Sequence, residues 1–120
     1  MSSSDSLLDT IAAIDNFVSQ RDWEQFHTPK NIAMALSVEV SELLEIFQWL
    51  DVEESISPDN KQMDQVKSEV ADIAMYLFRF CDLLGVDLER AIQNKIVQNA
   101  KKYPVELSRG NATKYNQRDG

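Results

Sequence analysis

The sequence predicts an all-α protein, a bundle of four helices, and three observations predict it. Apolar residues recur at three- and four-residue spacing along most of the 120 residues, and strand-like alternation is absent. The three glycines and three prolines fall at the ends of periodic stretches, not inside them. Small polar residues of the kind that cap helix N-termini stand just before those stretches.

The first helix is expected over about residues 7–22. Leu7, Leu8, Ile11, Ile14, Phe17 and Val18 share one face, with Ser4, Asp5 or Ser6 as the cap. A connector, Trp23-Glu24-Gln25-Phe26-His27, follows. Thr28-Pro29 opens the second helix, threonine at the cap and proline in the first turn, and the helix runs to about Leu50. Residues 51–56 read as a polar loop, and Ser57-Pro58 opens the third helix in the same way. Gly85 ends that helix, because glycine adopts the left-handed conformation of a helix terminus without strain. Asp87 caps the fourth helix, which stops before Pro104, and residues 105–120 read as an irregular tail.

Composition narrows the function. Twelve basic against 20 acidic residues give a formal charge of -8, which argues against a nucleic-acid or membrane-surface binder. A small phosphate-bearing ligand stays open, since a bound cation can reverse local charge. Cys81 is the single cysteine, read as a small core residue in a reducing, cytoplasmic setting. The most apolar stretch, residues 73–84, is interrupted by Arg79 and Asp82 and is too short to span a bilayer. The N-terminus has no basic segment followed by an apolar run, so no signal peptide is expected.

Four acids carry the chemistry. Glu39 and Glu42 on the second helix, and Glu69 and Asp72 on the third, are each spaced i, i+3, which puts both acids of a pair on one helix face. On a helical wheel the second helix turns Ile32, Leu36, Val40, Leu43, Phe47 and Leu50 inward, with Glu39 and Glu42 on the flank of that stripe. The third turns Met63, Val66, Val70, Ile73, Leu77, Phe80 and Leu84 inward, with Glu69 and Asp72 at the edge. Asp64, Ser68, Arg79 and Asp82 are assigned to solvent. Partly buried like charges are costly unless protons or cations compensate them. An all-oxygen set suits Mg²⁺ or Mn²⁺ and does not suit Zn²⁺. The competing account is that the acids are solvated edge residues of a non-catalytic helical interaction module. His27, the only histidine, stands three residues after Glu24, a spacing used in di-iron bundles, but only one such motif exists here.

At these residues the chain resembles the all-α nucleoside triphosphate pyrophosphohydrolases of the MazG-like superfamily, whose signature is Glu-x-x-Glu on one helix and Glu-x-x-Asp on a later one. Arg21-Asp22-Trp23-Glu24-Gln25-Phe26-His27, Pro29-Lys30-Asn31 and Glu42 through Trp49 resemble its dCTP pyrophosphatase branch, as do Val86-Asp87-Leu88, Lys95, Asn99, Tyr103-Pro104 and Lys114-Tyr115. The resemblance implies a Mg²⁺-dependent cleavage between the α and β phosphates of a nucleoside triphosphate, giving monophosphate and pyrophosphate. It implies that Glu39, Glu42, Glu69 and Asp72 hold the metal. Trp23, Glu24, Gln25, Phe26, His27, Trp49, Tyr76 and Asn99 would line the nucleotide pocket, and Lys95, Lys102, Arg109 or Lys114 would meet the phosphates. It also implies a catalytic domain over residues 1–104 and a tail over 105–120 that reaches the active site or a neighbouring subunit. Glu42, with Glu39 beside it, is the expected group to orient or deprotonate the attacking water, and Glu45 is the alternative one turn further on. Members of the branch that favour deoxycytidine nucleotides offer the base a histidine from the first helix. The stretch from Ile11 to Val18 has no histidine and Ile14 stands about where it would be, so on this point the chain departs from those members. The wide apolar faces of the first and third helices predict a homo-oligomer, a dimer or a dimer of dimers.

Overall fold

The structure, a computed structural model, describes residues 3–110. Those residues are helical throughout, in the order α1 (Ser3–Gln20), a short 3₁₀ turn (Glu24–Phe26), α2 (Pro29–Phe47), α3 (Val52–Ile56), α4 (Asn60–Leu84), α5 (Leu88–Lys102) and α6 (Val105–Ser108). They divide into two compact units, Met1–Gly85 and Val86–Gly120. Among the described residues no helix is long and apolar enough to cross a membrane.

The first unit is built on α4. The second helix packs along it, and α1 contacts it as well. Ile14 and Val18 of α1, Ile32 of α2 and Cys81 of α4 are the buried apolar residues. Leu36, Leu43 and Phe47 of α2 and Met63, Val66, Ile73, Leu77 and Phe80 of α4 are half-buried, as the wheel placed them. Val40, Val70 and Leu84 belong to the same stripes yet are exposed. A helix pair covers only the arc that faces its neighbour, so the flanks of a wide stripe stay open until something else packs on them.

Helix ends follow side-chain chemistry, with four departures from the sequence reading. The Thr28 side chain accepts from the Asn31 N–H at 3.1 Å, with Pro29 in the first turn, as expected. Gly85 ends α4 at φ +67°, and Asp87 caps α5 through the Arg90 N–H at 3.0 Å. Helix α1 begins at Ser3, ahead of the expected start near Leu7; Ser4 and Asp5, two of the expected caps, lie outside the residues whose side chains are described, and Ser6 falls within the helix. The stretch read as a polar loop folds as α3, closed by a reciprocal capping box: Asp51 Oδ1 accepts from Glu54 N–H at 2.8 Å, and Glu54 Oε1 from Asp51 N–H at 3.1 Å. The same device starts α4 at Asp59 and Gln62, two residues after the Ser57 cap that the sequence suggested. A box satisfies two orphan donors where Ser57 would satisfy one, and so it wins. In the second unit Pro104 starts the short helix α6, where an irregular tail was expected.

The end of α1 positions the connector. Asp22 adopts φ +54°, the one non-glycine residue with positive φ among those described. Trp23 N–H donates back to the Val18 carbonyl at 3.1 Å and Asp22 N–H to that of Ser19 at 3.1 Å, the bond pair of a Schellman motif. Aspartate tolerates this conformation better than most residues do. The reversal brings the Trp23 ring edge-on to Phe17, with centroids 5.7 Å apart and planes at 71°, while the Arg21 guanidinium lies 3.7 Å over the Phe17 ring.

Candidate functional site

The acid pairs meet as their spacing predicts. Side-by-side packing of α2 and α4 brings Glu39, Glu69 and Asp72 together, each half-buried, with one oxygen of each within 4.8 Å of the others. Oε2 of Glu39 and Oε2 of Glu69 are buried and have no hydrogen-bond partner. Glu42, one turn along α2, stands beside Glu39 and lines an open cavity of about 380 Å³ with Glu45, Ile46, Gln65 and Glu69. Glu39 is held above the ordinary carboxylate range, first by the hydrogen-bonding approach of Glu69, with which it can share a proton, and next by burial. Glu42 is raised as well, first by its hydrogen-bonding approach to Glu39 and then by the charge of Glu39.

Buried acceptors without donors cost about 1–3 kcal/mol each, and more when charged. Two of them in one place, in a cluster of oxygen donors only, fit a hard divalent cation such as Mg²⁺ or Mn²⁺. No histidine or cysteine stands among the three residues, which removes the usual basis for zinc.

Asp72 also borders a second cavity, of about 240 Å³, lined by Ile14, Phe17, Val18, Trp23, His27, Met75, Tyr76 and Arg79. Its wall is largely apolar and aromatic. Its polar side is a network across three elements. Arg79 Nε donates to His27 Nδ1 at 3.1 Å, and Arg79 Nη1 donates to Asp15 Oδ1 at 3.4 Å and to Asp82 Oδ2 at 3.3 Å. An arginine only donates, so His27 Nδ1 accepts and its proton resides on Nε2. Burial, and secondarily the Arg79 charge, pushes His27 below the ordinary imidazole range, in keeping with a neutral ring. Asp15 is pushed above the ordinary carboxylate range, first by burial and then by the charge of Asp82.

Of the residues proposed from sequence for the nucleotide, Trp23, His27 and Tyr76 line this cavity. Glu24, Gln25 and Phe26 do not. Gln25 braces the connector by donating to the Asp22 carbonyl at 3.0 Å, and the Phe26 carbonyl accepts from Asn31 Nδ2 at 3.2 Å. Trp49 lies beyond the end of α2 and is 86% exposed. Lys95, Asn99, Lys102 and Arg109 belong to the second unit, and Lys114 lies outside the described residues. Arg79 is a correction: assigned to solvent from the wheel, it has a side chain only 11% exposed and a place in the cavity wall. Seven residues separate it from Asp72, nearly two full turns, so the face that buries Asp72 buries Arg79 too. That register was the signal available in the sequence.

With this geometry in view, similarity to known proteins is informative. The MazG-like family profile matches residues 34–117, and the chain belongs to that family. The chain is 44% identical over 101 residues to dCTP pyrophosphatase 1 of Rattus norvegicus and 39% identical over 103 residues to dCTP pyrophosphatase 1 of Homo sapiens. Each match takes in 82% of this chain and 59% of the relative, so the chain spans less than two thirds of the length of these proteins. The crystal structure of a pyrophosphatase from Archaeoglobus fulgidus superposes with a TM-score of 0.76 at 36% identity, covering 87% of this chain and 94% of that one.

Proposed function

We propose that the protein is a divalent-metal-dependent nucleotide pyrophosphohydrolase. In this reading it cleaves the α–β bond of dCTP or a related deoxynucleoside triphosphate to the monophosphate and pyrophosphate, clearing surplus or aberrant nucleotides. The observation that carries the reading is the Glu39–Glu69–Asp72 cluster, in which Glu39 and Glu69 each hold a buried carboxylate oxygen with no partner among the described residues and Asp72 borders an aromatic cavity. Family membership and the activity named for the relatives support it.

Glu39, Glu69 and Asp72, with Glu42 beside them, would hold Mg²⁺ or Mn²⁺. Such an ion supplies the positive charge that phosphoryl transfer needs at the triphosphate and its leaving group. The chain's own residues do the rest. Trp23 and Tyr76 offer the base flat surfaces, worth about 1–3 kcal/mol per stacked base. Apolar walls from Ile14, Val18 and Met75 exclude water from the base. Glu42, which borders the open cavity beside Glu39, takes the proton of the attacking water. The reading includes a homo-oligomer, because Val40, Leu44, Val70 and Leu84 leave apolar surface open on the first unit.

A panel of deoxynucleoside and ribonucleoside triphosphates with Mg²⁺ tests the activity. Pyrophosphate and monophosphate are the expected products, with no turnover in EDTA. Orthophosphate as the first product refutes the assigned bond. A monomeric mass at micromolar concentration refutes the assembly.

A further inference from the structure

The apolar cavity raises a question that the acids do not answer: which base it takes. Ile14 lies in its lining and offers no hydrogen bond. Hydrogen-bonding groups of the lining come from the connector and α4. His27 Nδ1 is committed to Arg79 Nε, so the ring keeps one free donor, Nε2–H. Arg79 spends Nε on His27 and Nη1 on Asp15 and Asp82, and its Nη2 donates to no group among the described residues. These two donors belong to adjacent lining side chains, in a wall that also holds the Asp72 carboxylate, the Trp23 and Tyr76 rings with their N–H and O–H, and the apolar Ile14, Phe17, Val18 and Met75. The volume, about 240 Å³, is below the range of roughly 300–1,000 Å³ that encloses a drug-sized ligand, and suits one planar ring.

We propose that Arg79 and His27 form the base-reading edge of the site, a side-by-side donor pair that selects cytosine. Cytosine presents two neighbouring acceptors, ring N3 and O2. Uracil and thymine carry a proton on N3, so a donor would meet a donor and both would stay unsatisfied in a desolvated pocket. The ion pairs hold the device in register. Asp15 and Asp82 fix the guanidinium from two helices, and the guanidinium in turn fixes the tautomer of His27. Arg79 is thus both a reader and a positioning residue. The inference rests on the nucleotide-binding reading above and does not depend on turnover.

The test is binding of nucleoside monophosphates to the full chain in EDTA, which separates base recognition from hydrolysis. Wild-type protein is expected to bind dCMP about 10- to 100-fold more tightly than dUMP or dTMP, the scale of discrimination by a site built around hydrogen bonds. The dUMP arm removes the methyl group and so separates donor conflict from crowding. Arg79→Met, which keeps the bulk of the side chain, should cut that preference to within about threefold, a residue of the 10- to 100-fold selectivity. His27→Phe should do the same while leaving the Arg79 ion pairs intact, and it covers the case in which Arg79→Met does not fold. Because His27 is the only histidine, its ring nitrogens give one set of NMR signals. They should show a single Nε2–H tautomer in wild type and a mixture in Arg79→Met. Equal affinity for dCMP and dUMP in wild type, an unchanged preference in both variants, or an Nδ1–H tautomer overturns the inference. Intact dCMP preference with no pyrophosphate released from any triphosphate overturns the proposed function alone.

Discussion

Helix α4 carries two sets of acids, and they are handled in opposite ways. Near its C-terminal end Asp82, with Asp15 of α1, is paired with a cation that the chain itself provides, Arg79, at 3.3 and 3.4 Å. About three to four turns earlier Glu69 and Asp72, with Glu39 of α2, form no salt bridge among the described residues, and one oxygen each of Glu39 and Glu69 has no hydrogen-bond partner there. The fold can supply a counter-charge, and does so where acids brace helices. Where no such counter-charge is found among the described residues, the cluster stays open to a cation from outside, as the proposed function requires. The contrast lies in the counter-charge and not in burial alone, since Asp15 is half-buried like the cluster acids while Asp82 is exposed.

The largest effect that would sharpen this contrast is on activity. Glu69→Gln keeps shape and removes charge, and should lower pyrophosphate release by at least about 100-fold, the scale lost when one charge-stabilising group is removed. Its melting temperature should hold or rise, because like charges are relieved. A fall in both together would mean that the cluster is structural after all. The converse substitution, Arg79→Met, leaves Asp15 and Asp82 facing each other without a cation and should destabilise by about 1–2 kcal/mol, read from the urea midpoint. Both carboxylates keep solvent contact, which holds the loss below that of a fully buried pair. Adding Asp15→Asn should recover part of it; no recovery would break the assignment of Arg79 as their counter-charge.

The smallest effect is on pH dependence. His27 is held below its ordinary value of 6.5, mainly by burial. Below that value the unfolded chain takes up a proton that the folded chain refuses, so stability falls as pH drops through about 6.5 and levels off once the folded ring also titrates. Asp15, raised above its ordinary 3.8, has the opposite sign and acts lower. As pH falls through its folded value towards 3.8, the folded chain takes the proton first and gains stability. Urea midpoints of wild type and His27→Phe across pH 5–8 should diverge only on the acidic side. Parallel curves would show that the ring accepts protons freely.

Much of this was legible in the sequence, and the particular residues explain where it was not. Thr28, Gly85 and Asp87 announce helix ends because each acts on the backbone within a few residues of itself. The i, i+3 acids announce a shared face because helical geometry alone decides it. Asp51 and Asp59 were missed because a capping box depends on two side chains at once, and a nearby Ser-Pro competed for the same role. Arg79 was misplaced because a charged residue in an apolar run defaults to solvent. The register from Asp72 and the nearby Asp82 were local signals, but its partners on other elements, His27 and Asp15, come from 52 and 64 residues away, where local pattern says nothing.

The left-handed turn at Asp22 reaches further than its own geometry. It aims the indole of Trp23 by means of the main chain, while Asp22 Oδ2 accepts from Gln25 Nε2 at 3.2 Å, so what matters there is a permissive backbone, and after it a short side-chain acceptor, more than a negative charge. Over generations of random substitution, glycine and asparagine should be admitted at that position and valine or isoleucine purged. A record of variants would then mark residue 22 as selected for shape, even if removing its charge left catalysis untouched.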